Sequence, residues 1–485
     1  MFSFNLLEEK WIPCVMNDNA LRDLSLREVL LDASSVREIV GDSPPVTIAL
    51  HRLLLAILHR ALNAPQSADE WNNIRESGKF NTHKIEKYLG EWKHRFDLFD
   101  EKFPFYQTKS LENYSQNNTV FLLGFQAKAN AALFDHSNSS QSNPIEAEKV
   151  VRMLLGLQSF DFGGTKTSEN GKESVSPSPL IQSAVCLVRG NNLFETLLLN
   201  LHHYSSTDGE PFPFKFTEDL PAWERQEEPK AEERLPKGYA DLLTWQSRRV
   251  YLKAEKSEET GKLFVKDAVV MRGYSFPKQF LRNDKETMSG FEKHDIKGYV
   301  PTKYEENKSL WRNSFSLFQS VDGLNSRPKT LNWLSELVYE GFLDKSQNFH
   351  LEIYGLNHDL KNIAKLLFWQ KESFRLPLAY LTDEKLVSDL KTAIEFAEEI
   401  GKHLKSSVNT LAFHIIPKPK NEGKEQASKT DWEKARILAR TFQAMPVYWS
   451  TLELDFQHLL SNLPTQKEAA MREWFAFVLK TAAAD

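Results

Sequence analysis

TDEKLVSDLKTAIEFAEEIGKHLK, residues 382–405, carries the pattern that decides the fold of the C-terminal part of the chain. Its apolar residues recur at the three-to-four-residue spacing of an α-helix, namely Leu386, Leu390, Ile394, Ala397, Ile400 and Leu404. Thr382 stands before this pattern and is of a residue type that caps helix N-termini. The stretch therefore predicts a long helix whose apolar stripe packs against other elements.

Three more helical patterns follow this one, over 431–444, 446–462 and 465–481. Short connections favour an antiparallel four-helix bundle. The one longer connection, 417–430, carries the lysines Lys418, Lys420, Lys424 and Lys429. These lysines fit either a weak contact with nucleic acid or a solvated loop, and both interpretations stay open.

The part of the chain before the bundle has a mixed and irregular pattern. Helices are predicted from Pro44, over 85–99 and from Pro144, and strands over 248–252, 263–271 and 349–354. Residues 162–172, with paired glycines, predict a long flexible loop, and the charged stretch 224–234 predicts a solvated linker. The fold class is therefore α+β: a large irregular mixed N-terminal domain, 1–378, followed by an all-α C-terminal four-helix bundle, 379–485.

Composition narrows the class of function. The 485 residues are 41% hydrophobic, which is enough apolar surface for a folded protein. The formal net charge of −5 argues against coating nucleic acid by bulk electrostatics, so any such contact must be local. The two cysteines, Cys14 and Cys186, lie far apart, which excludes a disulfide framework and a thiolate zinc site.

The cellular location follows from two segments. Residues 1–15 carry Glu8 and Glu9 where a signal peptide needs a basic start and an apolar run. The longest apolar stretch, 46–62, is interrupted by two histidines and two arginines and does not suit a bilayer. We therefore expect a cytoplasmic protein with no membrane partner.

A search for catalytic groups finds no catalytic residue, metal site or cofactor site. His202 and His203 end an apolar helix without a carboxylate at metal-ligand spacing, which favours a packed pair. Asp161–Phe162–Gly163 matches a kinase triplet without the other kinase motifs, and the spacing from Gly164 to Lys172 does not fit a Walker phosphate loop. A metal-dependent nuclease built from scattered carboxylates and a purely architectural scaffold remain the alternatives.

Local positive charge gives the first sign of polyanion binding. Residues 236–285 contain eleven Lys or Arg against six Asp or Glu, a local excess of +5 in a chain of net charge −5. An ordinary strand with solvated lysines explains the same count. Gly163–Gly164 allows either a close approach of backbone to a ligand or a simple chain turn.

The order of several short motifs resembles the CasA family, the large subunit of the type I-E CRISPR surveillance complex called Cascade. The matching segments span nearly the whole chain: Asn5–Pro13 (NLLEEKWIP), Pro104–Lys109 (PFYQTK), Asn130–Asp135 (NAALFD), Val188–Gly190, Leu198–Asn200, Thr244–Gln246, Tyr448–Trp449 and Leu452–Glu453. The resemblance implies recognition of a short protospacer-adjacent motif (PAM) in duplex DNA, help with unwinding, and no cleavage by this chain. It implies as partners CRISPR RNA (crRNA), the backbone, small and handle-binding Cascade subunits, double-stranded target DNA, and a separate helicase-nuclease.

The resemblance also assigns roles to particular residues. The family's glycine loop, whose backbone approaches the minor groove, falls on Gly163, Gly164, Thr165 and Lys166. Its groove-inserted lysine falls on Lys266 when the strand is aligned on Gly273. Its duplex-splitting wedge falls on Asn362, Ile363 and Ala364. A loop near the crRNA 5′ handle and the PAM falls on Leu133, Phe134 and Asp135.

This sequence departs from the family at two places. Some relatives hold zinc with two cysteine pairs, but 137–148 and 255–262 contain no cysteine, so zinc is not expected. The wedge of relatives carries a glutamine where Ile363 stands here. Either the wedge is apolar, or Asn362 supplies its polar contact, or the alignment shifts by one residue.

Overall fold

The computed structural model contains two compact units. It describes residues 2–114, 118–119, 123, 144–169, 171–181, 183–204, 217–277, 286–294, 298–302, 308–321, 324–325, 327–358, 366–416, 420–421, 424–425 and 429–484. The first unit comprises Met1–Leu310, Ser320–Asp344 and Phe349–Ser373. The second comprises Trp311–Gln319, Lys345–Asn348 and Phe374–Asp485. The domain boundary at residue 378 stays a prediction.

The structure describes eighteen strands, most of which belong to the first unit. In chain order they are β1 (Ile12–Met16), β2 (Leu21–Leu24), β3 (Val36–Ile39), β4 (Asn118–Thr119), β5 (Ile145–Glu146), β6 (Gly164–Ser168), β7 (Gly171–Val175), β8 (Val185–Arg189), β9 (Arg248–Lys256), β10 (Leu263–Arg272), β11 (Phe291–His294), β12 (Gly298–Pro301), β13 (Ser320–Val321), β14 (Leu324–Asn325), β15 (Asn348–His358), β16 (Leu366–Pro377), β17 (Lys420–Asn421) and β18 (Lys424–Glu425).

Helices occur in both units. In chain order they are α1 (Leu26–Leu31), α2 (Pro44–Leu62), α3 (Ala68–Ser77), α4 (Thr82–Trp92), α5 (Ala147–Phe160), α6 (Leu193–Asn200), α7 (Tyr239–Leu243), α8 (Ser314–Phe318), α9 (Lys329–Tyr339), α10 (Ala379–Thr382), α11 (Glu384–Ile415), α12 (Lys429–Thr441), α13 (Ala444–Asn462) and α14 (Lys467–Ala484). Together with the strands they confirm the predicted α+β class.

Three sheets organise the first unit. A three-stranded sheet has the order β2-β1-β3, and another has the order β16-β15-β8. The largest has six strands, with β4-β10-β6-β7 along one path and β5 and β9 also paired to β10. The strands predicted over 248–252 and 263–271 are confirmed as β9 and β10, because their β-branched and apolar residues suit a half-buried pleated surface.

Helix α2 is the central helix of the first unit. It is long and apolar enough to pass a membrane-span test, but 89% of its most apolar window is buried inside the protein. Three of the four polar residues that interrupt its apolar sequence are buried with polar partners. Arg52 lies 2.6 Å from Glu286, Arg60 binds Glu224, and His51 Nδ1 lies 2.8 Å from the Thr47 carbonyl oxygen.

The buried histidines of α2 make stability depend on pH. Burial lowers the pKa of His59 to about 3, against 6.5 for an ordinary histidine, and the pKa of His51 to about 4. Between pH 6.5 and these values the unfolded chain takes up protons that the folded chain excludes. Each pH unit below 6.5 should therefore cost about 1.4 kcal/mol per histidine until the folded-state pKa is reached.

We expect the melting temperature to fall between pH 7 and pH 5 in wild type and to fall less steeply in His59→Phe. Phenylalanine retains the ring packing against His202, whose ring centroid is 5.0 Å away, and cannot titrate. Differential scanning calorimetry over this range measures both slopes. Equal slopes would contradict a neutral buried His59.

The stretch 224–234 is a solvated linker only in part, because its two ends are anchored while 226–227 and 230–233 are exposed. Glu224 is buried, where it accepts hydrogen bonds from Arg60 Nε at 2.8 Å and from Tyr88 Oη at 2.6 Å. Arg234 donates to Asp241 at 2.7 Å. The counter-charge of Glu224 lies on a distant helix, which local composition does not reveal.

The second unit contains the four-helix bundle formed by α11, α12, α13 and α14, as predicted. The residues of α11 that are buried include Leu386, Leu390, Ile394 and Ala397. Gly401 lets Trp449 pack closely, since a Cβ atom there would stand 2.9 Å from the indole. The N-cap of α11 is Asp383 and not Thr382, because the Asp383 carboxylate accepts the backbone N–H groups of Lys385 and Leu386.

Candidate nucleic-acid interface

Strand β10 brings together segments that are remote in sequence. On one edge it pairs with β9 along nearly its whole length. Its other edge is shared in turn by β5, β4 and β6, through the pairs Val265–Ile145, Asp267–Thr119 and Met271–Thr167. The predicted lysine and the predicted glycine segment therefore belong to one sheet.

Lys266 lies at a β-bulge of β10. Val265 pairs with Ala254 and Asp267 pairs with Lys253, the next residue back along β9, so Lys266 has no opposite residue there. On the other edge Lys266 falls between the β5 pairing and the β4 pairing. A bulge bends its strand and changes the direction of a side chain. Lys266 is accordingly exposed, although four of the five residues at 268–272 are buried.

Lys266 carries a free ammonium group. No carboxylate forms an ion pair with it among the residues that the structure describes. Four other basic residues of this region differ: Arg248 pairs with Asp161, Arg249 with Glu169, Lys262 with Glu146 and Arg272 with Glu173. Acids outside the segment thus reduce the local excess of +5. Lys266 remains, with Lys237 and Lys256, an exposed lysine that forms no ion pair with a described residue.

Residues 163–175 form a β-hairpin, so the predicted long flexible loop is wrong. Strands β6 and β7 pair from Gly164–Val175 to Ser168–Gly171. Thr165 and Thr167 favour extended backbone, and Gly171, which begins β7 opposite Ser168, has a φ of +114° that suits glycine. The sequence analysis gave the glycines more weight than the threonines between them.

The two adjacent glycines have different environments. Gly163 is buried, and a Cβ atom on it would stand 2.8 Å from the Val175 carbonyl oxygen. Gly164 is half-buried with a φ of +108°, a conformation that side-chain-bearing residues rarely adopt. Thr165 is exposed. Of the two glycines, Gly164 is therefore the one that a ligand can reach, while Gly163 serves the packing of the hairpin.

A buried carboxylate holds the base of the hairpin. Asp161 is fully buried, 2.5 Å from Arg248 Nε and 2.8 Å from Lys166 Nζ. Arg248 also donates to the carbonyl oxygens of Phe162 at 3.1 Å and Ser176 at 2.9 Å, on both sides of the hairpin. The side chain of Lys166 is consequently engaged inside the protein.

Gly164 and Lys266 lie on the same side of the residue pair Met271–Thr167, which joins β10 to β6. The two strands are parallel there, through Met271 and Thr167. Gly164 precedes Thr167, and Lys266 precedes Met271 by five residues, or about 17 Å of strand. The parallel direction sets both toward one end of the sheet.

Sequence reasoning missed Asp161 and the bulge. Asp161 was set aside as a chance kinase triplet, although an acid between Phe160 and Phe162 signals burial with a counter-charge. Lys266 and Asp267 are two consecutive polar residues in an apolar strand, and this break of the two-residue period was the available signal for a bulge.

The remaining predicted site residues lie outside the described part of the chain. These are the handle-loop residues Leu133, Phe134 and Asp135 and the wedge residues Asn362, Ile363 and Ala364. In sequence the wedge falls between β15, which ends at His358, and β16, which begins at Leu366. Within the described ranges, no group of three or more His, Cys, Asp or Glu is placed to hold a metal ion.

Comparison with known proteins assigns this fold to a class of CRISPR-associated proteins. The crystal structure of Cse1 from Acidimicrobium ferrooxidans shares the fold with a TM-score of 0.81 and 23% identity, over 100% of this chain and 92% of that one. A chain of a structure described as a CRISPR RNA-guided surveillance complex matches with a TM-score of 0.74 and 18% identity, over 99% of both chains.

Sequence identifies the family within that class. The family profile described as CRISPR-associated protein Cse1 matches residues 5–484. CasA/Cse1 from Thermus thermophilus is 28% identical over 476 residues, which is 97% of this chain and 89% of that protein. The chain belongs to the Cse1 family, whose members are also named CasA, and the resemblance drawn from the sequence is confirmed.

Proposed function

We propose that this chain is the large, non-catalytic subunit of a type I-E Cascade and that it recognises the PAM in double-stranded DNA through the minor groove. The observation that carries the proposal is the exposed Lys266 on its bulge, which forms no ion pair with a described residue and lies on the same sheet as the glycine hairpin. The printed descriptions of a relative as CasA/Cse1 and of a similar structure as an RNA-guided surveillance complex support the assembly.

The chemistry of these groups suits the minor groove. That groove presents mainly acceptor atoms, the adenine N3 and thymine O2, and guanine adds one amino donor. The Lys266 ammonium group donates hydrogen bonds without a strict direction, and the backbone of Gly164 brings no side chain that would block approach. A reader of this kind tolerates several motifs, because it tests few atoms of each base pair.

Two further segments complete the proposed reader. Asn362, Ile363 and Ala364 would form the wedge, and an apolar Ile363 would separate a base step at a cost of a few kcal/mol, offset by contacts to the opened strands. Leu133, Phe134 and Asp135 would lie beside the crRNA handle and the PAM, where Phe134 offers a ring for stacking. After pairing of guide and target, the chain would help to recruit the helicase-nuclease.

The bundle would dock the small subunit. The lysines of 417–430 give either a weak contact with a DNA strand or a solvated loop, and salt dependence separates the two. If they touch phosphate, neutralising them lowers the slope of log affinity against log salt.

Omission of this chain tests the proposal directly. We expect the complex assembled without it to bind a PAM-containing duplex at least about tenfold more weakly at fixed salt, since the contacts that start unwinding are lost. Binding to a single-stranded target should change little, because guide pairing needs no PAM. Electrophoretic mobility shift on both substrates measures the two affinities.

Three outcomes would contradict the proposal. Equal duplex affinity with and without the chain would leave it an architectural scaffold. If omission of the chain lowers the affinity for duplex and for single-stranded DNA equally, the chain acts on assembly of the complex and not on PAM recognition. Cleavage of labelled duplex by the purified chain with Mg²⁺ or Mn²⁺ would make it a nuclease.

A further inference from the structure

Arg95 differs from every other buried arginine that the structure describes. Six arginines are almost completely buried, and five of them form an ion pair with a carboxylate: Arg52 with Glu286, Arg60 with Glu224, Arg248 with Asp161, Arg249 with Glu169 and Arg312 with Glu398. Arg95 is 8% exposed and has no carboxylate within ion-pair distance among the described residues. Its charge lacks the compensation that the others have.

The contacts of Arg95 leave part of its guanidinium unused. Nη2 donates to the Arg225 carbonyl oxygen at 2.8 Å, and the guanidinium carbon lies 4.3 Å from the centre of the Phe103 ring. Nη1 is buried and has no acceptor among the residues that the structure describes. Burial lowers the pKa of Arg95, and Asp100 opposes this only through its charge.

An unpaired buried charge is costly. Leaving a cation in the interior without its partner typically destabilises a protein by several kcal/mol, and buried donors are almost always hydrogen-bonded. The five paired arginines show that this fold elsewhere supplies a carboxylate. The missing acceptor at Arg95 therefore points to an anion that comes from outside the chain.

Arg95 lines a shallow pocket that is open to solvent. The walls of this pocket include Phe103 and the buried side chains of Tyr106 and Trp223. Lys102 adds a second cation at the pocket, with its ammonium group 5.0 Å from the Phe103 ring. Tyr106 has a φ of +57°, a strained conformation for a residue with a side chain, which is typical of ligand sites.

The lining favours a carboxylate over a phosphodiester. Glu227 and Glu228 also border the pocket and would repel the neighbouring phosphates of a nucleic-acid strand. A single carboxylate meets the guanidinium in a two-point geometry without bringing further charge. The aromatic wall suits an apolar group next to that carboxylate.

We propose that the Arg95 pocket binds a carboxylate that is attached to an apolar group. A small apolar acid and the C-terminus of a peptide share this chemistry. Arg95 binds the carboxylate, Lys102 adds attraction at the rim, and Phe103 contacts the apolar group. The site is independent of Lys266 and of the proposed reading of DNA.

Calorimetric titration with defined probes tests this site in the full-length chain. N-acetyl-leucine should bind saturably, whereas its uncharged match N-acetyl-leucinamide and inorganic phosphate should not. Acetyl-tetraglycyl-leucine distinguishes the two kinds of ligand. If it binds more tightly than N-acetyl-leucine, the natural ligand is a peptide C-terminus, and if it binds more weakly, the natural ligand is a small apolar acid. Binding of phosphate instead of N-acetyl-leucine, or equal binding of the amide, would overturn the proposal.

Variants assign the binding to Arg95. Arg95→Met should weaken the binding of N-acetyl-leucine about tenfold or more, because a charge-assisted hydrogen bond is lost. Arg22→Met, which removes an exposed arginine paired with Asp18, is the matched control and should bind as wild type does. Without ligand, the Arg95→Met variant should have a melting temperature no lower than that of wild type, because the substitution removes an uncompensated charge. Arg95→Lys retains the positive charge but not the two-point geometry of the guanidinium, so it should also bind N-acetyl-leucine weakly. Unchanged affinity in both Arg95 variants would rule out the site.

Discussion

Asp161→Ala is expected to destabilise the first unit by about 3–5 kcal/mol, because it leaves the buried Arg248 and the largely buried Lys166 without their shared carboxylate. Arg248 is 1% exposed, so its charge cannot be solvated in place, and Lys166, whose side chain is 16% exposed, loses a partner 2.8 Å away. With about 2 °C lost per kcal/mol for a unit of this size, the melting temperature should fall by about 6–10 °C. Differential scanning calorimetry measures the shift.

Glu169→Ala is the matched control for Asp161→Ala. Glu169 belongs to the same hairpin and pairs with Arg249 at 2.8 Å, but its side chain is 62% exposed. Glu169→Ala frees one cation instead of two, and Arg249 keeps the hydrogen bond from its Nε to the Arg272 carbonyl oxygen at 2.8 Å, so we expect a smaller loss of stability than for Asp161→Ala. Similar melting temperatures for the two variants would show that Asp161 does not hold the hairpin. Faster hydrogen exchange over residues 164–175 in Asp161→Ala alone would show that it does.

Lys266→Ala is expected to weaken binding of the assembled complex to a PAM-containing duplex by about tenfold, the loss of one good groove contact. The fold should be unaffected, since Lys266 is exposed and forms no ion pair with a described residue. Mobility shifts on a library of PAM sequences measure affinity and preference together. A lysine that reads base edges changes the ranking of motifs, whereas one that binds phosphate lowers all affinities alike.

Lys256→Ala controls for charge alone. Lys256 is also exposed, lies on the neighbouring strand β9 and carries the same charge, but it stands opposite Leu263 in the regular ladder. We expect it to change affinity by less than about twofold. If Lys266→Ala leaves both affinity and motif ranking unchanged, the proposed role of Lys266 is wrong. If Lys256→Ala matches its effect, the bulge has no special part in recognition.

Local sequence patterns predicted the regular helices and strands correctly, but they failed to predict structure that depends on contacts between distant segments. Helix α11 and strands β9 and β10 were predictable, because each carries its own period and termini. The hairpin of β6 and β7 was predicted as a loop, and the buried Glu224 was predicted to belong to a solvated linker. Both depend on partners far away in sequence, Arg248 for the hairpin and Arg60 for Glu224.

The sequence by itself determined the fold class, the family and the position of a basic strand, since these depend on periodicity, motif order and local composition. Tertiary structure decided which charges remain free. Arg248, Arg249, Lys262 and Arg272 are neutralised by acids outside the basic segment, and Lys266 is left exposed by a one-residue shift in strand pairing. The physical reason is that ion pairing and strand register depend on distances between segments, and a sequence pattern carries information only about neighbours along the chain.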